Sequence, residues 1–119
     1  AFNCSPLAVL NINRESMARY GFSPATRIFE AAGAGACIIS DAWDGIDQFL
    51  EPGREILVAR NGLEVAEILR GLTPERAREI GRAALARVRA CHTYEQRARE
   101  VEAVLDEAHA NMREAAQWA

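Results

Sequence analysis

Three short apolar runs constrain this chain more than any other feature. Leu7-Ala8-Val9-Leu10-Asn11-Ile12, Cys37-Ile38-Ile39-Ser40 and Glu55-Ile56-Leu57-Val58-Ala59 are of strand length, and helical sequence follows each. Strands apolar on both faces and separated by helices predict a parallel sheet covered by helices. The fold class read from this is α/β: a partial Rossmann-like parallel sheet of about three strands, flanked by helices, with a helical C-terminal half. A chain of 119 residues, half of it apolar, accommodates one domain with a real core. Three strands are few for a doubly wound sheet, so the chain reads as the second half of one. Missing strands would leave an open edge, which predicts pairing with another copy.

Between the runs, Asn13 to Phe22 is polar, ends at Gly21 and reads as a loop. Ser23-Pro24 reads as a helix start, with the serine as N-cap and proline in the first turn. That helix carries Ile28, Phe29, Ala31 and Ala32 and stops at Gly33 or Gly35. A brief helix over 44–50 precedes the third run, and 62–71 forms another. Thr73-Pro74-Glu75 opens a helix with Ala77, Ile80, Ala84 and Val88 on one face. Thr93-Tyr94-Glu95-Gln96 has the form of a capping box. The helix it opens aligns Tyr94, Ala98, Val101, Leu105, Ala108 and Met112 at spacings of three and four, a stripe that covers the chain's own sheet or meets a partner.

Charge and composition remove several functions. A net charge of −3 with mixed signs argues against nucleic acid as a partner. All 14 basic residues are arginine, so neither a pyridoxal-phosphate Schiff base nor a P-loop is available. Cys4, Cys37 and Cys91 are odd in number and form no Cys-x-x-Cys pair. Neither a disulfide framework nor a zinc site is expected, and a reducing, cytoplasmic setting is. No run is long enough to span a bilayer, and no secretory leader opens the chain. His92 and His109 lack ligand-spaced companions, so no metal site is predicted.

Candidate sites remain. Gly33-Ala34-Gly35-Ala36 ends a helix and precedes a strand, the reverse of a dinucleotide fingerprint, and reads as close helix–strand packing. Asp41, Asp44, Asp47 and Glu51 form an acidic stretch, either a solvated loop or the wall of a cleft beyond the strand ends. Between Gly21 and Glu30, a helix N-terminus opened at Ser23 offers N–H groups to a phosphate, and Arg27 sits on the first turn. Glu30, one turn on, can accept two vicinal hydroxyls. The same spacing also suits a surface ion pair between Arg27 and Glu30, and the residues alone leave both readings open.

Asn11-Ile12-Asn13-Arg14, Gly21-Phe22-Ser23, Arg27-Ile28-Phe29-Glu30-Ala31 and Ile38-Ile39-Ser40-Asp41 resemble the C-terminal half of the CgeB-like group-1 glycosyltransferases. The likeness continues through Phe49-Leu50-Glu51-Pro52-Gly53-Arg54-Glu55-Ile56 and His92-Thr93-Tyr94-Glu95-Gln96-Arg97. It implies a GT-B enzyme of two Rossmann-like domains, with residues 1–119 as one truncated, nucleotide-sugar-binding C-terminal domain. The implied partner is a nucleotide diphosphate sugar, taken as substrate with no cofactor or obligatory metal, and the acceptor is unknown. Ser23, Arg27 and Glu30 become the residues for the donor diphosphate and ribose. Two glutamates eight positions apart serve the donor in the wider superfamily; Glu30 matches the second, whereas the first falls at Phe22. The implied catalytic base lies outside this chain, so the chain alone is expected to transfer no sugar. The contrasting expectation is a non-catalytic α/β interaction module.

Overall fold

The computed structural model describes residues 5–118, so Cys4 lies outside the described residues. Three parallel strands, β1 (Val9–Asn11), β2 (Ile38–Asp41) and β3 (Leu57–Ala59), form one sheet in the order β1-β2-β3. Val9 pairs with Ile38 and Asn11 with Ser40; Ile39 pairs with Leu57 and Asp41 with Ala59. All three apolar runs therefore become strands, with β2 displaced by one residue to take in Asp41 and β3 confined to the last three residues of its run. The partial Rossmann-like α/β fold is the one expected.

The helices are α1 (Glu15–Tyr20), α2 (Thr26–Gly33), α3 (Ile46–Phe49), α4 (Gly62–Gly71), α5 (Pro74–Cys91) and α6 (Tyr94–Gln117). α1 corrects the loop expected over 13–22. It buries no residue, so its helical character leaves no apolar period to read. The core lies between the sheet, α2 and α5, where Ile28, Ile38, Leu50, Ile56 and Ala84 are fully or nearly fully buried. α5 buries Ala77, Ile80 and Ala84 as its periodicity predicts, together with Gly81. A Cβ on Gly81 would collide with the Gly35 carbonyl oxygen, so α5 seats directly on the turn after α2. Gly35 itself takes φ +72°, a left-handed turn that favours glycine. The glycine–alanine segment thus serves helix-to-turn packing rather than the helix–strand packing expected.

Because β1 feeds α1 and α2, and α2 feeds β2, the N-terminus of α2 lies on the side of the sheet where the strands end. Loops there interlock. Phe22 N–H donates to the Asp44 carbonyl at 2.7 Å, and a Cβ on Gly21 would come within 2.8 Å of Asp44 Cβ. Phe22 is held at φ +51°, a conformation uncommon outside glycine.

α6 departs furthest from expectation. Every residue from 98 to 118 is exposed and none of the helix is buried. Its apolar stripe covers no part of its own sheet.

Candidate functional site: a cleft at the α2–α5–α6 junction

A cleft of about 510 Å³ opens between the first turns of α2, the end of α5 and the start of α6. Glu30, Phe29, His92 and Arg97 line it, with Pro24, Thr26, Val88 and Tyr94 around them. Of the three residues singled out from sequence, the cleft takes in Glu30 alone. Ser23 and Arg27 are exposed nearby and do not line it.

Ser23 also loses its predicted role as cap. α2 begins at Thr26 with Ala25 as N-cap, and no side chain caps it. Thr73-Pro74 has the same form and does cap α5, so the dipeptide alone does not decide where α2 starts. Ile28 N–H turns back to the Ala25 carbonyl at 2.9 Å, which leaves the Thr26 and Arg27 N–H groups at this start for an outside acceptor. Among the described residues Arg27 and Glu30 form no ion pair. Both residues are exposed.

His92 organises the cleft floor. One of its ring nitrogens, Nδ1, lies 2.7 Å from Arg97 Nη2, which can only donate, so Nδ1 accepts. Nε2 then carries the proton and donates to the Phe49 carbonyl at 3.0 Å. The ring packs against Phe29 and Phe49, with centroids 5.6 and 5.7 Å away. Burial pushes the His92 pKa below its ordinary value. Nearby Arg97 and Arg87 lower it further, against the Phe49 hydrogen bond and Glu100. His92 is thus a neutral strut between α3, α5 and α6. Arg97 also donates to Glu100 at 2.6 Å, which fixes its guanidinium at the cleft rim. Treating His92 only as a possible metal ligand missed this pair. The signal was the five-residue spacing across the Thr93 cap, which brings a C-cap histidine back to the first turn of the next helix.

At the strand ends a polar chain ties β1 to β2. Asn11 Nδ2 donates to Ser40 Oγ at 3.1 Å, and Ser40 donates to Asp41 Oδ1 at 3.2 Å. Asp41 also accepts the Asn13 backbone and side-chain N–H groups, at 3.1–3.2 Å. Asp41 thus spends its carboxylate on the β1 loop. Asp44, Asp47 and Glu51 are exposed, the solvated arrangement of the acidic stretch. Below them, Glu55 is buried, accepting Glu51 N–H at 2.8 Å and Arg87 Nε at 3.0 Å. Among the described residues, no group of three or more metal-ligating side chains converges, and no helix is long and apolar enough to cross a membrane.

The cleft thus combines an exposed carboxylate, an oriented guanidinium, aromatic walls and an uncapped helix start, a set suited to a polar, hydroxyl-bearing ligand with an anionic part. A solved structure of sucrose-phosphate synthase from Thermosynechococcus elongatus aligns with TM-score 0.63 at 21% identity. The alignment covers 77% of this chain and 24% of that one, so the chain spans about a quarter of that protein's length. At that identity the likeness shows the fold. No curated protein matches the sequence. Residues 1–103 match the glycosyl transferase-like family, and the chain belongs to that family.

Proposed function

We propose that the chain is the donor-binding half of a CgeB-like glycosyltransferase and takes a nucleotide diphosphate sugar. The position of Glu30 carries this reading: an exposed carboxylate, without an ion-pair partner among the described residues, lines the cleft one turn into α2. Glu30 accepts the two ribose hydroxyls. The uncapped first turn of α2, with Arg27 and Ser23 at its approach, meets the diphosphate. Neutralising a leaving diphosphate is the part of glycosyl transfer that such a site supplies. The base for the acceptor hydroxyl comes from outside this chain, so the chain alone transfers no sugar, and the longer enzyme works in the cytoplasm.

Calorimetry with UDP and GDP, against uridine and guanosine, tests donor binding. Either diphosphate is expected to bind more tightly than its nucleoside. Glu30→Gln is expected to weaken binding by about tenfold, one or two charge-assisted hydrogen bonds being at stake. The loss should be greater for a ribonucleotide than for its 2′-deoxy analogue. A variant that binds both like the parent, or that unfolds, removes Glu30 from the site. The exposed stripe of α6 favours a second reading, a protein-interaction module; failure of every nucleotide to bind would support it.

A further inference from the structure

We propose, on the donor-binding reading of this cleft, that Arg97 holds the donor diphosphate from the α6 side and that His92 is the residue that positions it. Among the described residues lining the cleft, Glu30 is the one carboxylate and Arg97 the one guanidinium. Glu30 accepts hydroxyls but offers a diphosphate no donor. Arg27 is exposed nearby and does not line the cleft, whereas Arg97 does. No ion pair joins Arg97 to Glu30 among the described residues, so the cleft is not closed by its own two charges.

The guanidinium is set in place by the protein itself. Nη2 donates to His92 Nδ1 at 2.7 Å and Nη1 to Glu100 Oε2 at 2.6 Å. That uses two of its five N–H donors. The other three have no protein partner among the described residues, and 42% of the side chain is exposed. His92 is fixed in turn: Nε2 donates to the Phe49 carbonyl at 3.0 Å, and the rings of Phe29 and Phe49 lie beside the imidazole. A run of fixed contacts thus passes from the end of α3 through the imidazole to the guanidinium. Ordering a long, rotamer-rich side chain weakens binding, and here the fold has ordered it already. Glu100 offsets part of the Arg97 charge. The hold on an anion therefore comes from aimed N–H groups on a planar fork, the geometry that suits phosphate oxygens.

Calorimetry on the full chain with UDP, uridine and inorganic pyrophosphate tests the proposal. Arg97→Gln should weaken UDP binding by at least about tenfold and uridine binding by less than about twofold, because only UDP carries the diphosphate. Glu30→Gln should weaken both, since both carry the ribose. Two substitutions at His92 separate positioning from mere support of the helices. His92→Gln can still donate to the Phe49 carbonyl but places no acceptor at Nδ1, and it should weaken UDP binding by about threefold or more. His92→Asn sets its amide oxygen where Nδ1 stands and should restore most of that loss. Should Arg97→Gln unfold the body, the Gln-against-Asn order at His92 decides the matter. UDP binding that is indifferent to Arg97→Gln, or that falls no more than uridine binding, overturns the proposal and leaves the donor-binding reading intact. The same holds if His92→Asn binds UDP no better than His92→Gln. If no nucleotide binds while pyrophosphate binds and requires Arg97, the anion contact stands and the donor-binding reading fails. If neither binds, both fail.

Discussion

His92 couples three helices through one ring, and its titration is therefore a stability signal. Its pKa in the fold lies below the ordinary value of 6.5, so the folded state binds the proton less readily than the unfolded chain. The contribution is complete above about pH 6.5 and is lost as the pH falls through the lowered folded value. Protonation would place an N–H on Nδ1, facing the donor nitrogen of Arg97. Thermal melts between about pH 7.5 and 5.5 should fall at the acidic end, and His92→Gln should flatten that fall. A second residue-scale prediction concerns Glu55, whose buried carboxylate satisfies both Glu51 N–H and Arg87. Glu55→Ala leaves a backbone donor unpaired and should lower Tm clearly more than Glu51→Ala, whose pairing with Arg54 is exposed.

Among the elements, α5 and α6 are governed by opposite forces. α5 is held by close packing, and Gly81 is where it touches the turn after α2. Gly81→Ala improves helix propensity yet should destabilise by about 1–3 kcal/mol in urea titrations, because a backbone carbonyl cannot move aside as a side-chain end does. α6 rests on its start. Thr93 Oγ1 accepts Gln96 N–H at 3.3 Å while the Gln96 side chain accepts Thr93 N–H at 2.8 Å. Gln96 Nε2 donates to the Ala90 carbonyl as well, which ties the cap to the end of α5. Thr93→Ala should cost about 1 kcal/mol and reduce the helical signal in circular dichroism more than a substitution late in α6.

The whole molecule measures 66 × 27 × 22 Å, an elongated form set by the projecting α6. The sheet, α2 and α5 form the cooperative body, and the outer turns of α6 contribute no buried side chain to it. Deleting residues 103–119 should leave the melting temperature of the body nearly unchanged in dilute solution. A large fall would mean that the outer helix stabilises the body. Nucleotide binding should survive the same deletion, since the cleft ends at Arg97.

Much of this architecture was legible in the sequence. Apolar runs of strand length specify buried parallel strands, and the periods of α5 and α6 and the Thr73 and Thr93 caps are local signals that need no tertiary context. Glu30 lines the cleft, although the helix that carries it starts at Thr26 and not at Ser23, from which its place was read. What tertiary structure decided was relational. Ser23-Pro24 has the same form as Thr73-Pro74, yet α2 starts at Thr26 with Ala25 as its N-cap whereas α5 starts at Pro74. α1 shows no apolar period because it buries nothing. His92 and Arg97 join the cleft only because the chain turns at Thr93 between the end of α5 and the start of α6. Sequence alone determined that α6 carries an apolar stripe at spacings of three and four; only the fold decided that its own sheet leaves that stripe bare. Periodicity records which face of a helix is apolar, whereas the path of the chain determines what, if anything, lies against it.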